Sequence, residues 1–305
     1  MKVLFFGSGQ FSLPIIKRLH DNYALLGVVA TKPRPKGRGL HRSLSESAEW
    51  IQDQDISLFT PDDPNSDTFI RDLIKLKPNL FILSAFGRIL SGELLKVPSL
   101  GGMNIHPSLL PKYRGPAPIQ RAIMAGEKKS GITIFFMDEK IDHGKIILQE
   151  ILEIKPDENY GSLQTRLSEL GADLMIKAIE SIEIGRYEMI QQNEDQMSYA
   201  PKIKKREMII NWYDSTEKIV NLVRALSPRP GAKTTFRDKE LKIINVVRGC
   251  ESFGPRTIHV DKKNLYVGTA DGSVILKRVH PQDRSLMSGL DFKNGFRIKE
   301  GELIG

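Results

Sequence analysis

The chain has 305 residues, a length that accommodates two domains. Hydrophobic residues make up 40% and charged residues 27% of it, which is ordinary for a soluble globular protein. No run reaches the roughly 18 apolar residues of a membrane span, the N-terminus lacks the pattern of a signal peptide, and the single cysteine, Cys250, excludes an internal disulfide and a cysteine-based zinc site. We therefore expect a cytoplasmic protein.

Positive charge is concentrated in the last third of the chain. Residues 201–305 contain 21 Lys or Arg and 12 Asp or Glu, a net charge of +9, whereas residues 1–200 contain 24 and 25, a net charge of −1. A basic end domain on a near-neutral body favours a polyanionic partner, with nucleic acid as the first candidate. The alternative is that the charge only supports solubility.

The N-terminal part of the chain alternates short apolar runs with amphipathic segments. Such alternation predicts βαβ units, and hence an α/β domain with a Rossmann-like, open and mostly parallel sheet. The predicted strands are Val3–Phe6, Leu25–Ala30, Ile56–Thr60, Leu80–Ala85, Met103–His106 and Ile132–Met137, and the predicted helices include Leu13–Leu19, Leu44–Gln54 and Phe69–Leu76.

The character of the sequence changes near residues 191–205, which are polar and then basic. After a predicted helix at about Thr216–Leu226, short strands follow one another, and the Asp271-Gly272 pair between two of them is a hairpin signal. This pattern predicts a small β-barrel of the oligonucleotide-binding (OB-like) type. We therefore predict a catalytic domain at 1–189, a linker at 190–206 and a basic β-barrel domain at 207–305.

A glycine turn follows the first predicted strand, at Gly7-Ser8-Gly9. The dinucleotide fingerprint requires Gly or Ala where Ser12 stands. It also requires an acidic residue at the end of the second strand, but the chain there reads Val29-Ala30-Thr31-Lys32 and has no acid. We interpret the turn as a tight strand–helix connection that lets another ligand approach the backbone. An NADP site that uses Arg34 is the weaker alternative.

Asn104, His106 and Asp142 form the candidate catalytic constellation. Asn104 and His106 lie two residues apart at the end of a strand, which places both side chains on one face of the sheet, and Pro107 then ends the pairing. Asp142 follows the strand Ile132–Met137, and Gly144 permits a sharp turn there. An amide, an imidazole and a carboxylate at a sheet edge suit acyl transfer without a covalent intermediate. A Ser108 nucleophile is disfavoured because the Gly-x-Ser-x-Gly elbow is absent, and structural roles for all three residues remain open at this point.

The segment Asn104-Ile105-His106-Pro107-Ser108-Leu109-Leu110-Pro111, together with Ile141-Asp142-His143-Gly144, resembles the folate-dependent formyltransferases. The run from Lys112 to Ile123 is similar to the branch of that family whose acceptor is initiator methionyl-tRNA. The resemblance extends over nearly the whole chain, through the opening Phe6–Phe11, the segment Tyr199–Ile203 and Ile210-Asn211-Trp212.

The resemblance implies roles for individual residues. Asn104, His106 and Asp142 match the catalytic trio of the family. Ser108, Leu109, Leu110 and Pro111 match its folate-contacting loop, so 10-formyltetrahydrofolate is the expected formyl donor and no metal is expected.

Residues 32–40, within an acid-free basic loop that extends to Arg42, resemble the insertion that reaches the tRNA acceptor end in the family. Arg38, with Lys36, Arg34 and Arg42, is therefore the expected tRNA contact. We expect a monomer whose partners are initiator methionyl-tRNA and folate, without a membrane partner.

Two departures from the family pattern are Ser8-Gly9-Gln10 in the opening and Ser91 where a proline is common, and both affect only the detail of the folate pocket. Rival activities within the family are formylation of a sugar nucleotide or of glycinamide ribonucleotide, and hydrolysis of the formyl donor. A non-catalytic RNA-binding protein is a remote alternative, against which the intact trio argues.

Overall fold

The computed structural model of the chain describes residues 1–32, 35–36, 41–42 and 46–305. Within it the chain forms two units, each assembled from separated stretches of sequence. The first unit comprises Met1–Pro118, Lys129–Glu153 and Gln164–Ala200, and the second comprises Ile119–Lys128, Ile154–Leu163 and Pro201–Gly305. No helix in the described ranges is both long enough and apolar enough to cross a membrane.

The first unit is built on strands whose burial matches their composition. The strand Leu80–Leu83 is buried at every position, as expected for the centre of a parallel sheet covered on both faces. The strands of this unit are β1 (Lys2–Phe6), β2 (Ala24–Val29), β3 (Pro35–Lys36), β4 (His41–Arg42), β5 (Leu58–Phe59), β6 (Leu80–Leu83), β7 (Gly102–His106), β8 (Lys129–Phe136) and β9 (Ile146–Glu153).

Helices connect these strands and begin and end at local signals. α1 has a proline in its first turn, where the missing N–H costs nothing, and Lys77 ends α3 in the left-handed conformation at φ 52°. The helices are α1 (Leu13–Asn22), α2 (Glu46–Gln52), α3 (Asp67–Leu76), α4 (Gly92–Leu95), α5 (Pro118–Met124) and α6 (Tyr160–Glu183).

The main sheet of the first unit has seven strands in the order β5-β2-β1-β6-β7-β8-β9. The pairs from β5 to β7 are parallel, while β8 is antiparallel to both β7 and β9. β3 and β4 form a separate two-stranded hairpin. Because β1, β6 and β7 end at the same edge, the glycine turn after β1 and the Asn104–His106 pair on β7 lie at the ligand-binding edge of an open α/β sheet.

The second unit is an antiparallel sheet packed on helices. Its six strands run in the order β10-β11-β14-β13-β12, and β15 pairs with β14. Its core is centred on Trp212 and Phe292, which are 2% and 1% exposed. The elements are α7 (Thr216–Leu226), β10 (Ala232–Phe236), β11 (Lys239–Arg248), β12 (Ile258–Val260), β13 (Leu265–Gly268), β14 (Ser273–Pro281), β15 (Met287–Ser288) and α8 (Gly289–Gly295).

The predicted fold class is confirmed in both parts: a mostly parallel sheet with helices in the first unit, and an antiparallel β-domain in the second. The predicted limits 1–189, 190–206 and 207–305 stay predictions. Residues 190–200, expected to be a linker, are counted with the first unit.

A charge pair within the second unit ties α5 to the segment near residue 207. Arg121 donates to both carboxylate oxygens of Glu207, at 2.7 and 3.2 Å, and the Lys204 backbone N–H donates to the same carboxylate at 2.9 Å. The hydrogen bonds from Arg121, and then from the Lys204 backbone, lower the pKa of Glu207 from 4.5 to about 2. A carboxyl whose pKa is depressed on folding stabilises the fold above its unfolded pKa.

We therefore expect Glu207→Gln to lower the free energy of unfolding at pH 7 by about 0.2–1 kcal/mol, the range measured for exposed ion pairs. Because the contribution of Glu207 is lost as pH falls from 4.5 toward 2, the difference between the variant and the parent should shrink over that window. Urea unfolding at pH 7 and pH 3 measures it, with Glu251→Gln, at an exposed position, as the control. A difference that stays constant with pH would contradict this assignment.

Candidate active site

Asn104, His106 and Asp142 meet at the carboxyl end of β7. The Asn104 amide Nδ2 donates to Asp142 Oδ1 at 3.3 Å, and His106 Nδ1 lies 3.6 Å from Asp142 Oδ2. The side chains of His106 and Asp142 are 6% and 12% exposed. Asp142 therefore lies against both Asn104 and His106, although 38 and 36 residues of chain separate it from them.

The tautomer of His106 follows from its second contact. His106 Nε2 lies 2.9 Å from the backbone carbonyl oxygen of Tyr113. A carbonyl only accepts, so Nε2 carries its hydrogen in both the neutral and the charged ring. In the neutral ring the unprotonated nitrogen is therefore Nδ1, which faces Asp142. A proton added to the neutral ring would therefore bind at Nδ1.

Asp142 is oriented by two donors. Its Oδ1 accepts from the Asn104 amide, and its Oδ2 accepts from the Gly115 backbone N–H at 2.8 Å. The residue has a left-handed backbone, φ 49°, which Asp tolerates better than most residues. Each oxygen of the Asp142 carboxylate therefore accepts a hydrogen bond.

Glycine is required at position 115 by close approach as well as by its backbone. The φ of Gly115 is +114°, and a Cβ there would lie 2.7 Å from Tyr199 Cε2 and 3.0 Å from the Ala200 carbonyl oxygen. The chain can pass between Asp142 and residues 199–200 only without a side chain. Its N–H consequently reaches the Asp142 carboxylate.

The turn after Asp142 is as sharp as the sequence indicates. A Cβ on Gly144 would lie 1.7 Å from the Phe136 carbonyl oxygen, so the chain returns directly against the end of β8. His143, interpreted from sequence as a turn residue, directs Nδ1 to Asp138 Oδ2 at 2.5 Å and Nε2 toward Glu194 Oε1 at 3.6 Å.

The backbone of the loop 108–111 is hydrogen-bonded to Thr133 on β8. The Thr133 hydroxyl donates to the Ser108 carbonyl at 2.7 Å and accepts from the Leu110 N–H at 3.1 Å. The Ser108 hydroxyl donates to the Lys112 carbonyl at 2.7 Å. Ser108 and Leu110 are buried, 2% and 3% exposed, so their side chains stabilise the loop from inside.

A cleft opens beside Asn104 and Asp142. Asn104 and Asp142 form part of its wall, whereas His106 and the predicted folate loop Ser108–Pro111 do not. Apolar side chains alternate around it with charged ones of both signs. Its lining is Leu83, Arg88, Ile89, Leu90, Asn104, Phe135, Met137, Asp138, Glu139, Lys140, Ile141 and Asp142.

The glycine turn joins β1 directly to α1, as predicted. The Gly7 N–H donates to the Val29 carbonyl at 2.9 Å, and the Gly9 N–H donates to the Ser47 hydroxyl at 3.0 Å. The buried Ser12 hydroxyl donates to the Ser84 carbonyl at 3.0 Å. The turn is thus braced by neighbouring segments at the same sheet edge as the trio.

The predicted tRNA contacts fall in the part of the chain that is least described. Arg34 and Arg38 lie outside the described residues, and for Lys36 and Arg42 the description covers only the backbone of the hairpin β3–β4. Lys32, at the start of the basic loop, pairs with Asp62 at 2.5 Å, and this hydrogen bond lowers the pKa of Asp62.

Sequence reasoning did not identify Tyr113, Gly115 or Gln192 as parts of the site. Two of them act through backbone groups, the Tyr113 carbonyl and the Gly115 N–H, which leave no side-chain signature. Gln192 lies in a stretch of similar polar residues, where nothing distinguishes it. Among the residues that the structure describes, no group of three or more His, Cys, Asp or Glu side chains is arranged to hold a metal ion.

Two family models match the chain, one for each end. Residues 1–179 match the model described as "Formyl transferase", and residues 202–297 match the model described as "Formyl transferase, C-terminal domain".

Relatives of the chain match it over essentially its whole length. A protein of Dictyoglomus thermophilum named methionyl-tRNA formyltransferase is 36% identical and covers 99% of both chains. A protein of the same name from Syntrophus aciditrophicus is 37% identical over 100% of this chain and 99% of the relative. The one from Thermotoga maritima is 33% identical over 99% and 97%.

Similar solved structures agree in fold. An N-formyltransferase from Helicobacter canadensis, in complex with folinic acid and dTDP-3-aminofucose, superposes with a TM-score of 0.69 at 22% identity, over 90% of this chain and 98% of the other. HypX from Aquifex aeolicus, in complex with tetrahydrofolic acid, gives 0.67 at 19% identity, and the match spans this whole chain but only 50% of HypX.

At 19–22% identity the solved structures support a shared fold alone. The two family models and the full-length relatives support membership of one family. They account together for residues 1–179 and 202–297, including the strand end that carries Asn104 and His106 and the turn that carries Asp142. The chain therefore belongs to the formyl transferase family and is an enzyme of the transferase class.

Proposed function

We propose that this enzyme transfers the formyl group of 10-formyltetrahydrofolate to the α-amine of initiator methionyl-tRNA. The observation that carries the proposal is the contact of Asn104, His106 and Asp142 at the sheet edge, in a chain whose relatives named methionyl-tRNA formyltransferase match it from end to end. The net charge of +9 on residues 201–305 supports a polyanionic acceptor.

The cleft beside the trio supports the folate donor. Leu83, Leu90 and Met137 give it apolar walls, and polar groups stand at its edge where Asn104 and Asp142 lie. A flat heteroaromatic ring with a polar rim suits such a lining. The loop Ser108–Pro111 stays a predicted folate contact, with the residues of the cleft as additional candidates.

In the proposed mechanism the methionyl amine attacks the formyl carbon and a tetrahedral oxyanion forms. Asn104 Nδ2 has two hydrogens, of which one is donated to Asp142, so the second is available for the oxyanion. Protonated His106 adds positive charge beside it. Asp142 holds the imidazole and, through water, helps to move the proton from the amine to the departing folate nitrogen.

Residues 32–42 complete the proposal on the acceptor side. Their five basic residues and absence of acids suit phosphate contacts, which position a nucleic acid without reading its bases. Arg38, Lys36, Arg34 and Arg42 are the proposed tRNA contacts. The second unit adds binding energy through its excess of Lys and Arg, which depends strongly on salt.

Removal of the proposed oxyanion donor tests the mechanism. We expect Asn104→Ala to lower kcat on the order of 10²–10³-fold, as the loss of an oxyanion-hole donor does, with smaller changes in KM. Steady-state formyl transfer to methionyl-tRNA measures kcat and KM, and Asn22→Ala, at an exposed position in α1, is the control. Near-full turnover of Asn104→Ala would remove Asn104 from the mechanism.

The basic loop is tested through binding and salt. Arg38→Ala should raise KM for methionyl-tRNA. It should also reduce the slope of log KM against log salt by about 1, because one phosphate contact, and the counterion released with it, is lost. KM for the folate donor should not change. Arg71→Ala, at an exposed position in α3, is the matched control. An unchanged tRNA response would contradict the assignment of Arg38.

A panel of acceptors decides between the proposed activity and the rival ones. Purified enzyme and 10-formyltetrahydrofolate are incubated separately with initiator methionyl-tRNA, an amino-sugar nucleotide, glycinamide ribonucleotide and water. We expect formylation of methionyl-tRNA to exceed the others. Preferential formylation of the sugar nucleotide would replace methionyl-tRNA as the acceptor while leaving the role of the trio intact.

A further inference from the structure

Gln192 is a buried amide that holds the turn on which Asp142 sits. It is 4% exposed, although its sequence neighbours 191 and 193 are exposed. Its Nε2 donates to the backbone carbonyl of Asp142 at 3.0 Å and to that of Gly144 at 2.8 Å. The two carbonyls flank one residue, so a single side chain clamps the turn from both ends.

Arg114 fixes the orientation of this amide. Its Nε and Nη2 donate to Gln192 Oε1 at 3.1 and 2.7 Å. A guanidinium has no acceptor, so the oxygen of Gln192 must face Arg114 and the nitrogen must face the carbonyls. The usual ambiguity between the two ends of a glutamine side chain is thereby removed by its partners.

The charge of Arg114 is itself balanced. Arg114 is 6% exposed and donates to both oxygens of Glu194, at 3.1 and 2.7 Å. The hydrogen bonds from Arg114 lower the pKa of Glu194. A buried guanidinium that donates hydrogen bonds to both Gln192 and Glu194 has little freedom to move.

Arg114 also stands between the two backbone groups that hold the trio. The carbonyl of Tyr113 accepts from His106, and the N–H of Gly115 donates to Asp142. The backbone around Arg114 therefore fixes two catalytic candidates by their side chains, while its guanidinium, through Gln192, fixes Asp142 by its main chain. Asp142 needs both restraints because its left-handed conformation costs free energy in a residue with a side chain.

We propose that Gln192, locked by Arg114, is a positioning residue that sets the Asp142 carboxylate against His106 and Asn104. Its consequence for turnover rests on the proposed formyl transfer. Displacement of a catalytic group by about 1 Å can cost about 10²-fold in rate, so loss of the two donated hydrogen bonds should lower kcat with little change in either KM.

Gln192→Glu isolates these two hydrogen bonds. Glutamate keeps the length of the side chain and an acceptor for Arg114, but it cannot donate to the carbonyls of Asp142 and Gly144. Gln191→Glu makes the same chemical change one residue earlier at an exposed position and is the matched control. Gln192→Met, whose thioether cannot donate and accepts only weakly, is the second test variant.

Two readouts are measured on folded protein below each variant's thermal midpoint. The first is the ¹H–¹⁵N resonance of the Gly115 amide, which donates to Asp142 and so reports the position of the carboxylate without any substrate. The second is kcat and both KM values for formyl transfer. We expect Gln192→Glu and Gln192→Met to shift the Gly115 resonance and to lower kcat about 10²-fold, while Gln191→Glu changes neither.

The proposal would be overturned if the Gly115 resonance kept the position it has in the Gln191→Glu control and kcat stayed within twofold of that control. Failure of both Gln192 variants to fold would also overturn it, because Gln192 would then act on stability rather than on position. If the parent enzyme transfers no formyl group to methionyl-tRNA, the proposed function fails, but the Gly115 resonance still decides whether Gln192 positions Asp142.

Discussion

The carboxylate of Asp142 is the group around which the candidate active site is arranged. It is 12% exposed, and a carboxylate withdrawn so far from water needs donors in its place. The structure supplies the Gly115 N–H and the Asn104 amide, with the His106 ring nearby. Hydrogen bonds to a charged acceptor are stronger than neutral ones, so these contacts draw together two loops and a strand end that are far apart in sequence.

This requirement explains features that otherwise look unrelated. Gly115 has no room for a side chain because its N–H must reach the carboxylate past residues 199 and 200. The Tyr113 carbonyl is turned toward His106 because the same loop passes on that side of the ring. Thr133 binds two backbone groups of the loop 108–111, so the chain that leaves β7 is stiff before it reaches Tyr113. Pre-organisation of this kind lets a site stabilise developing charge without rearrangement.

That Asn104 and His106 lie close to Asp142 could be predicted from sequence, whereas the backbone donors around them could not. The spacing of Asn104 and His106 on a strand places them on one face, and Gly144 announces the turn that presents Asp142, so the trio follows from pattern and family resemblance together. A carbonyl or an N–H is the same in every residue, and its direction depends on tertiary structure. The role of Gln192 could not be predicted either, because nothing in the sequence distinguishes this buried glutamine from the exposed polar residues beside it. The strand Ile146–Glu153 was likewise not predicted, although its exposed positions alternate, because its charged residues mask the period of two.

The division of the chain into units made of separated segments has a consequence for how the protein is made. The polypeptide passes from one unit to the other at residues 118–119, 128–129, 153–154, 163–164 and 200–201. Domains generally fold as units while they emerge from the ribosome, but here the first unit is incomplete until residue 200 has been synthesised. Residues 119–128 and 154–163 belong to the second unit, whose remaining residues, 201–305, are synthesised last. The turn at Asp142 also depends on late synthesis, because Gln192, which donates to the carbonyls of Asp142 and Gly144, lies near the end of the first unit.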